Sequence, residues 1–313
     1  MNQFVKLAEM EIGKEYSTCL LIKAIEEKLT NAGKPYCIIT LCDGKDEVKA
    51  KIWNSEKASL MAEIADVIYC QVKVSTYNNS KDYTINSYRK TIPSDGIDIG
   101  DFTQKAPLSA EFMYEEILKK LYLIKDESLN AISTAIYKDY KEQLLYWSAA
   151  KGVHHNYLGG LLYHTYRMIT AANQILMVYN LSYDSLIAGI ALHDIGKLKE
   201  LDTNKLGEAT YTTQGYLEGH LVIGMKMVEK YAQHLGVAEN PSVEHLEHII
   251  LSHHGSLEFG SPVKPQTTEA MVVHMLDDMD AKIFQFEKYQ GDPGTITSER
   301  PFGLGVKVYT PVV

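Results

Sequence analysis

The chain has 313 residues, which favours two domains because a single hydrophobic core rarely grows beyond ~250–300 residues. Its hydrophobic fraction of 45% is that of an ordinary globular protein, and no apolar run approaches the ~18 residues of a membrane span. The net charge of −9 excludes a protein that coats nucleic acid through a general basic field. Residues 1–90 nevertheless hold 13 Lys and Arg against 12 Asp and Glu, so the amino-terminal third is the less repulsive surface for a polyanion.

The four cysteines all lie within the first 70 residues and form no CxxC pair: Cys19, Cys37, Cys42 and Cys70. In strand-rich surroundings, a free cysteine is a small core residue more often than a metal ligand or a disulfide partner. The first residues contain acids where a signal peptide has its apolar stretch. We therefore expect buried thiols, a cytoplasmic location and no membrane partner.

Residues 1–91 have the pattern of a small all-β domain. The predicted elements are, in order, strands over 16–29, 36–42 and 47–53, a short helix over 55–64, and strands over 66–76 and 81–89. The second half of the first strand is equally compatible with a helix. Three strands, a helix and two further strands is the order of an OB-fold, a barrel that often binds oligonucleotides.

The third predicted strand offers a candidate nucleic-acid surface. Its even positions, from Val48 to Ile52, are apolar and are expected to face the barrel interior, because side chains alternate along a strand. Lys49, Lys51 and Trp53 then share the outer face. Two cations beside an aromatic ring suit a single-stranded backbone with a base stacked on the ring. A solvated face with Trp53 packed against the next domain is the alternative.

Residues 92–108 contain several Pro and Gly and are predicted to form a linker. From residue 109 apolar residues recur every three to four positions, which predicts an all-α domain over 109–290. Capping signals at Ser182 and Gly255 support helix boundaries at these positions. Residues 291–313 are predicted to be an extended arm, with a short strand over 306–309.

Histidine and aspartate are concentrated in the helical part, where all 11 histidines fall between His154 and His274. Candidate ligands in this window are His164, His193, Asp194, His220, His253, His254 and Asp277. These nitrogen and oxygen donors, with no thiolate among them, suit Mn or Fe better than structural Zn. Two such ions about 3.5–4 Å apart can generate hydroxide from water and hold the oxygens of a phosphate ester.

The helical context distinguishes ligands from ordinary core histidines. His164 is predicted inside a long helix beginning near His154, where a hydrogen-bonded core histidine is the more ordinary interpretation of an isolated histidine. His193-Asp194 ends an apolar helix, and an ionised aspartate in such company is costly unless it is paired or binds a metal. His253-His254 repeats this arrangement, whereas His220 is predicted to open a helix after a glycine-rich loop over 215–219.

The ordered pattern H…HD…H…HH…D resembles the HD superfamily of metal-dependent phosphohydrolases. The resemblance implies that one metal is held by His164, His193, Asp194 and Asp277, and that Asp194 bridges to a second metal held by His220, His253 and His254. Lys197 matches the superfamily's common lysine and is expected to meet a substrate phosphate, with a solvated lysine as the alternative.

The barrel joined to this domain, with the phrases over 149–162 and 276–282, resembles the YhaM-type 3′→5′ exoribonucleases. The chain departs from that pattern at Tyr163 and Asp278. The resemblance implies release of nucleoside 5′-monophosphates from single-stranded RNA 3′ ends, by attack of a water activated between two metals. Candidate catalytic residues are Asp194, Lys197, His155 and Asp280. Mn²⁺ is the expected metal, with Fe, Co, Ni and Zn as alternatives.

Two other functions are compatible with these residues. One is an HD-type nucleotide phosphohydrolase or cyclic phosphodiesterase with a regulatory OB domain, because fold does not determine substrate. The other is a non-catalytic OB nucleic-acid-binding protein, which the complete ligand set disfavours. The sequence leaves open whether DNA is accepted and whether the chain forms a homo-oligomer.

Overall fold

The computed structural model describes residues 4–78, 80–150, 157–298, 300–301 and 303–312, and the chain divides into two compact units between Gln104 and Lys105. The range predicted as a linker, 92–108, spans this division. Its first part holds two 3₁₀ turns, Pro93–Asp95 and Ile99–Asp101. In the described part of the chain, no helix has the length and apolarity to cross a membrane.

The first unit is a closed barrel of five strands. These are β1 (Glu15–Leu29), β2 (Pro35–Cys42), β3 (Glu47–Trp53), β4 (Val67–Tyr77) and β5 (Ser80–Lys90). The order around the barrel is β1-β2-β3-β5-β4, and β4 pairs back with β1. Because the long β1 pairs with β2 at one end and β4 at the other, this is the OB-fold topology, and the predicted fold is confirmed. All of β1 is strand, so the helical alternative for its second half is wrong.

The short helix predicted over 55–64 is wrong, because this segment contains only one 3₁₀ turn, Lys57–Ser59. Side chains of neighbouring strands instead accept from backbone amides of this segment. The Lys57 amide donates to the Glu27 carboxylate at 2.7 Å, and the Met61 amide donates to the Tyr88 hydroxyl at 3.1 Å. Tertiary hydrogen bonds therefore override the local helical spacing.

The barrel interior is apolar and contains Cys37 and Cys70, while Cys19 and Cys42 are buried on the other face of their strands. Ala50 of β3 is buried, with Val48 and Ile52 packed at its edge, as the alternation predicts. Burial raises the pKa of the Cys19 thiol to about 11 and that of Cys70 to about 12. The thiols are core groups, and all four cysteines are free, as expected from the sequence.

The second unit is mainly helical. Its helices are α1 (Ala110–Tyr122), α2 (Glu127–Asp139), α3 (Lys141–Leu144), α4 (Gly160–Ile175), α5 (Tyr183–Leu192), α6 (Lys197–Glu200), α7 (Thr213–Leu235), α8 (Pro241–Ser252) and α9 (Thr268–Lys288). Helix α5 lies at the centre, packed on α2, α4, α8 and α9. The Ser182 hydroxyl caps it by accepting from the Ser185 amide, and every residue from Ser185 to Leu192 is buried.

Three local features differ from the expected run of helices. Helix α4 begins at Gly160 rather than near His154; residues 151–156 lie outside the described ranges. A two-stranded hairpin, β6 (Leu201–Thr203) with β7 (Ala209–Tyr211), follows α6. The segment predicted as a loop over 215–219 belongs to α7, which is kinked where Gly219 has a φ of 69°.

The carboxyl-terminal segment folds back on itself. The Thr297 amide donates to the Val308 carbonyl and the Thr310 amide donates to the Thr295 carbonyl, both at 2.9 Å. Ile296 and Tyr309 form an isolated bridge, so the strand predicted over 306–309 is reduced to a single bridged position. Val308 is buried by this return of the chain.

Candidate metal centre

The helical core brings seven donors together in one site. They come from α4 (His164), the end of α5 (His193, Asp194), the kink of α7 (His220), the end of α8 (His253, His254) and α9 (Asp277). At a helix end the side chains of successive residues point in different directions. Adjacent residues such as His253 and His254 can therefore contact different parts of the site. All seven residues proposed as ligands from the sequence therefore lie within this one centre.

Three of these residues, two of them fully buried, form a group that we call the inner cluster: His164, His193 and Asp277. The two Nε2 atoms of the histidines are 3.3 Å apart. The nearer Asp277 oxygen lies 3.2 Å from Nε2 of His164 and 4.0 Å from Nε2 of His193. Both imidazoles are completely buried.

The outer cluster consists of His220, His253 and His254, with 3.2 Å between Nε2 of His220 and Nε2 of His254. Asp194 lies between the two clusters. One of its oxygens is 3.3 Å from Nε2 of His193, and the other is 3.5 Å from Nε2 of His220. One carboxylate thus faces both groups.

Each imidazole is held through its other ring nitrogen. The acceptors of Nδ1 are Asp280 for His164 (2.7 Å), Ile190 O for His193 (2.7 Å), Glu200 for His220 (2.9 Å), Ile250 O for His253 (2.7 Å) and Phe259 O for His254 (2.7 Å). An Nδ1–H that donates to a carbonyl or carboxylate leaves the lone pair of the neutral ring on Nε2. This is the arrangement that orients metal-binding histidines.

The site has the unmatched lone pairs that a cation would satisfy. Asp194 Oδ1 and His253 Nε2 are buried and have no hydrogen-bond partner among the described residues. Neutral His220 and His254 rings also direct lone pairs at each other across 3.2 Å, which is unfavourable without a positive charge between them. Leaving such groups unsatisfied is costly, so the donor set fits divalent metal.

The electrostatics of the site favour positive charge at its centre. Burial alone lowers the pKa of His164, but hydrogen bonds to Asp277 and Asp280 outweigh it and raise the pKa to about 9. Burial likewise opposes ionisation of Asp194, yet Lys197 and His193 hold its pKa well below the usual value. Burial lowers the pKa of His253 and keeps that ring neutral, as metal binding requires.

Lys197 is a buried partner of Asp194. Its Nζ donates to Asp194 Oδ2 at 2.6 Å, and its carbonyl accepts from the Trp147 indole at 2.9 Å. Burial disfavours the charged lysine, but Asp194 outweighs that effect and raises its pKa. The alternative of a solvated lysine is wrong, because Lys197 is only 7% exposed.

Asp280 lies behind His164 rather than among the convergent donors. It accepts from His164 Nδ1, and its second oxygen is 2.6 Å from Arg167 Nε. Asp278, the neighbouring departure from the family pattern, forms an ion pair with Lys282 at 2.7 Å on the exposed side of α9. His155 lies outside the described residues.

Glu200 is a part of the centre that the sequence pattern did not indicate. One of its oxygens accepts from both the backbone amide and Nδ1 of His220, each at 2.9 Å. It fixes His220 at the point where α7 resumes after Gly219. The only sequence signal is its place as an acid in the buried turn that follows Lys197.

The candidate nucleic-acid surface of the barrel contains more aromatic residues than the strand pattern indicated. Trp53 is 46% exposed and stacks on Tyr36 of β2, with 4.9 Å between ring centroids. Lys49 is exposed, whereas Lys51 forms an ion pair with Asp82 at 2.6 Å. Lys51 also lies 5.2 Å from the ring of Tyr77. Register across β2 and β3, which pairs Tyr36 with Trp53, explains the aromatic stack.

The fold and site define an HD-type domain, a class of metal-dependent phosphohydrolases. The family model for the HD domain matches residues 161–282, a range that includes all seven donors. Among solved structures, the second OB-fold domain of replication protein A from Methanococcus maripaludis aligns with 28% of this chain and 94% of its own, at 14% identity and a TM-score of 0.24.

Curated relatives match the chain from end to end. A protein of Listeria welshimeri named 3′-5′ exoribonuclease YhaM is 33% identical over 303 residues, 96% of each chain. Proteins with the same name from Oceanobacillus iheyensis and a Geobacillus species are 33% and 30% identical, over 97% and 95% of this chain and 96% and 92% of theirs. The chain belongs to the YhaM family and is a hydrolytic nuclease, which confirms the family expected from the sequence.

Proposed function

We propose that this protein is a 3′→5′ exoribonuclease that uses two divalent metal ions to release nucleoside 5′-monophosphates from single-stranded RNA. The main support for two metal ions is the position of Asp194. It lies between two imidazole clusters and has a buried oxygen without a hydrogen-bond partner among the described residues. A bridging ligand needs oxygens available to both sides, and Asp194 has one directed at each cluster.

In this proposal the inner cluster with Asp194 holds one ion, and the outer cluster with Asp194 holds the other. When bound, such ions lower the pKa of water and stabilise the charge that develops on the phosphate oxygens. Nitrogen and oxygen donors without thiolate favour Mn²⁺, with Fe, Co, Ni and Zn as alternatives. Elemental analysis of the purified protein and anomalous scattering identify the metal.

The residues around the donors keep them in the state that this chemistry requires. Lys197 keeps Asp194 ionised in a buried site, and its pairing leaves Asp194 Oδ1 available. Asp280 and Glu200 hold His164 and His220 through Nδ1 and act on the reaction through those ligands. We assign to His155 a role in orienting the phosphate, the terminal sugar or the water.

The barrel is proposed to hold the strand upstream of the cleaved bond. Trp53 provides an exposed ring on which a base can stack, and Lys49 provides an exposed cation further along the same strand. Lys51 is already paired with Asp82, so its contribution is to support Trp53 and Tyr77 rather than to bind phosphate alone.

The discriminating experiment compares turnover of the same single-stranded RNA labelled at its 3′ end and at its 5′ end. A 3′→5′ exonuclease releases 3′ label at once as mononucleotide, while the 5′ label passes through progressively shorter strands. Immediate release of the 5′ label contradicts the polarity, and hydrolysis of free nucleotides without shortening of RNA favours a nucleotide phosphohydrolase. A parallel DNA substrate determines whether the sugar is discriminated.

A further inference from the structure

The metal centre is partly open to solvent at His220 and His254 of the outer cluster and at Asp277 of the inner cluster, whose side chain is 16% exposed. His164, His193 and His253 have no exposed surface. The side chain of His220 is 12% exposed, and His254 is also partly exposed. A substrate therefore approaches the donors past His220, His254 and Asp277.

Two short segments next to these histidines expose large apolar side chains. One precedes His220 and the other follows His254; together they contribute Tyr211, Tyr216, Leu217, Leu257 and Phe259. Tyr216 is 73% exposed and Phe259 is 67% exposed, although aromatic residues are usually buried. The rings of Tyr211 and Tyr216 are 5.1 Å apart and inclined at 44°, so they already form an aromatic pair.

The backbone of each segment lies against a group that orients a ligand. The Phe259 carbonyl accepts from Nδ1 of His254 at 2.7 Å. Tyr216 follows Gly215, which packs so closely on Glu200 that a Cβ there would meet the Glu200 backbone. Glu200 in turn accepts from His220. The backbone of both segments is therefore held close to the outer cluster, whereas the exposed side chains can be truncated without removing these contacts.

We propose that Tyr216 and Phe259, supported by Tyr211, form a binding site for the base of the 3′-terminal nucleotide. This inference rests on the proposed exonuclease function and identifies what the enzyme recognises beside the phosphate. The part of the chain after residue 90 holds most of the negative charge, so it offers a polyanion no general attraction. Stacking on rings needs no positive charge and accepts every base, because each base has a π face.

The test uses two RNA substrates that differ only in whether the 3′-terminal nucleotide carries a base or is abasic. The wild-type protein is expected to cleave the substrate with the base with the higher kcat/KM. Tyr216→Ala and Phe259→Ala are each expected to reduce this preference by roughly five- to a hundredfold, the range for loss of one stacked base. Cleavage of the abasic substrate should change little, because the metal donors keep their main-chain and carboxylate partners.

Tyr179→Ala is the matched control, since Tyr179 is 63% exposed but follows the end of α4, away in sequence from every ligand. Metal content measured on each variant verifies that the centre is intact. If the variants retain the wild-type preference for a terminal base, or if the wild type has no such preference, the base site is wrong.

A second measurement needs no turnover and separates this inference from the proposed function. Adenosine 5′-monophosphate and ribose 5-phosphate are titrated into the Mn²⁺-loaded protein by calorimetry. We expect tighter binding of the nucleotide, and loss of that advantage in Tyr216→Ala and Phe259→Ala. Equal affinities in the wild type contradict the base site, even if RNA is degraded. If the protein binds the nucleotide more tightly than ribose 5-phosphate but does not shorten RNA, the base site is supported and the exonuclease function is contradicted.

Discussion

At the scale of residues, the histidines of the centre fall into two kinds according to what holds Nδ1. His193, His253 and His254 donate to main-chain carbonyls, whereas His164 and His220 donate to the carboxylates of Asp280 and Glu200. A carboxylate partner makes an imidazole a more basic ligand than a carbonyl does. Each cluster therefore contains one histidine whose basicity as a ligand is increased by a carboxylate.

We predict that Glu200→Gln weakens metal binding at the outer cluster about 10–100-fold and leaves the inner cluster unchanged. Glutamine keeps an oxygen that accepts from His220 but removes the negative charge. Stepwise calorimetric titration with Mn²⁺ measures the two affinities separately. Glu208→Gln, at an exposed acid of the neighbouring hairpin, is the control. Equal loss at both clusters contradicts this division of the site.

We predict that Asp194→Ala abolishes turnover at saturating Mn²⁺, whereas His254→Ala mainly empties the outer cluster. Asp194→Ala also leaves Lys197 as a buried unpaired cation, a change that costs about 3–5 kcal/mol of stability. Adding Lys197→Met should recover most of the free energy of unfolding without restoring activity. Urea denaturation and RNA turnover are the two measurements, and substantial activity in Asp194→Ala would refute the bridging assignment.

At the scale of elements, the second unit depends on a close crossing of α6 and α7. A Cβ on Gly196 would meet the His220 carbonyl oxygen and would lie 2.7 Å from the Gly224 amide nitrogen. A Cβ on Gly224 would instead meet its nearest neighbour, the Gly196 amide nitrogen, at 3.3 Å. The crossing thus places the backbone of His220 directly against the turn that carries Asp194.

We predict that Gly196→Ala destabilises the protein by roughly 1–3 kcal/mol and lowers outer-cluster metal content, because α7 must move away with His220. Gly224→Ala, at the same crossing, should have a clearly smaller effect on both quantities. Thermal denaturation and elemental analysis provide the comparison. Equal effects of the two substitutions would show that the crossing adjusts freely.

The elements that the sequence predicts well are those determined by their own residues. The alternation of apolar residues in β3 and the capped apolar run of α5 can be recognised in the sequence. The seven residues that meet at the centre can also be recognised, from their types and spacing. The segment over 55–64 could not be predicted, because acceptors on β1 and β5 decide its hydrogen bonds. The role of Glu200 could not be predicted either, because it depends on a tertiary contact with α7, which follows the β6–β7 hairpin in the chain.

At the scale of the whole molecule, each unit contains one of the two tryptophans, so the unfolding of each unit can be observed separately. Trp53 lies in the barrel, and Trp147 is buried in the helical unit, donating to Lys197. A metal that binds only the folded helical unit should stabilise that unit alone. Fluorescence of single-tryptophan variants can therefore follow the two units independently.

We predict that a chelator lowers the unfolding temperature reported by Trp147 in Trp53→Phe and leaves that reported by Trp53 in Trp147→Phe nearly unchanged. A metal at 100 times its dissociation constant contributes about 2.7 kcal/mol. Re-addition of Mn²⁺ should restore the transition, which controls for irreversible damage. A parallel fall in both transitions would mean that the two units unfold together.

We predict that replacing Lys49, Lys51 and Trp53 by alanine weakens binding of long single-stranded RNA while hydrolysis of a small chromogenic phosphodiester continues. Loss of a base stacked on Trp53 alone is expected to raise the dissociation constant roughly five- to a hundredfold. Alanine at Lys45, Lys57 and Met61, also exposed on the barrel, is the matched control. Unchanged RNA affinity in the first variant would place the strand on another face.

The burial of every cysteine has a practical consequence for labelling. The thiolate is the form that alkylating reagents attack, and the thiol pKa values of about 11 for Cys19 and about 12 for Cys70 leave almost none of it at neutral pH. Burial raises the pKa of Cys37 and Cys42 as well. A single cysteine introduced at Leu217, which is 80% exposed, would therefore react selectively in the otherwise unaltered chain. A fluorophore attached there would report the arrival of RNA beside the metal centre without a cysteine-free background.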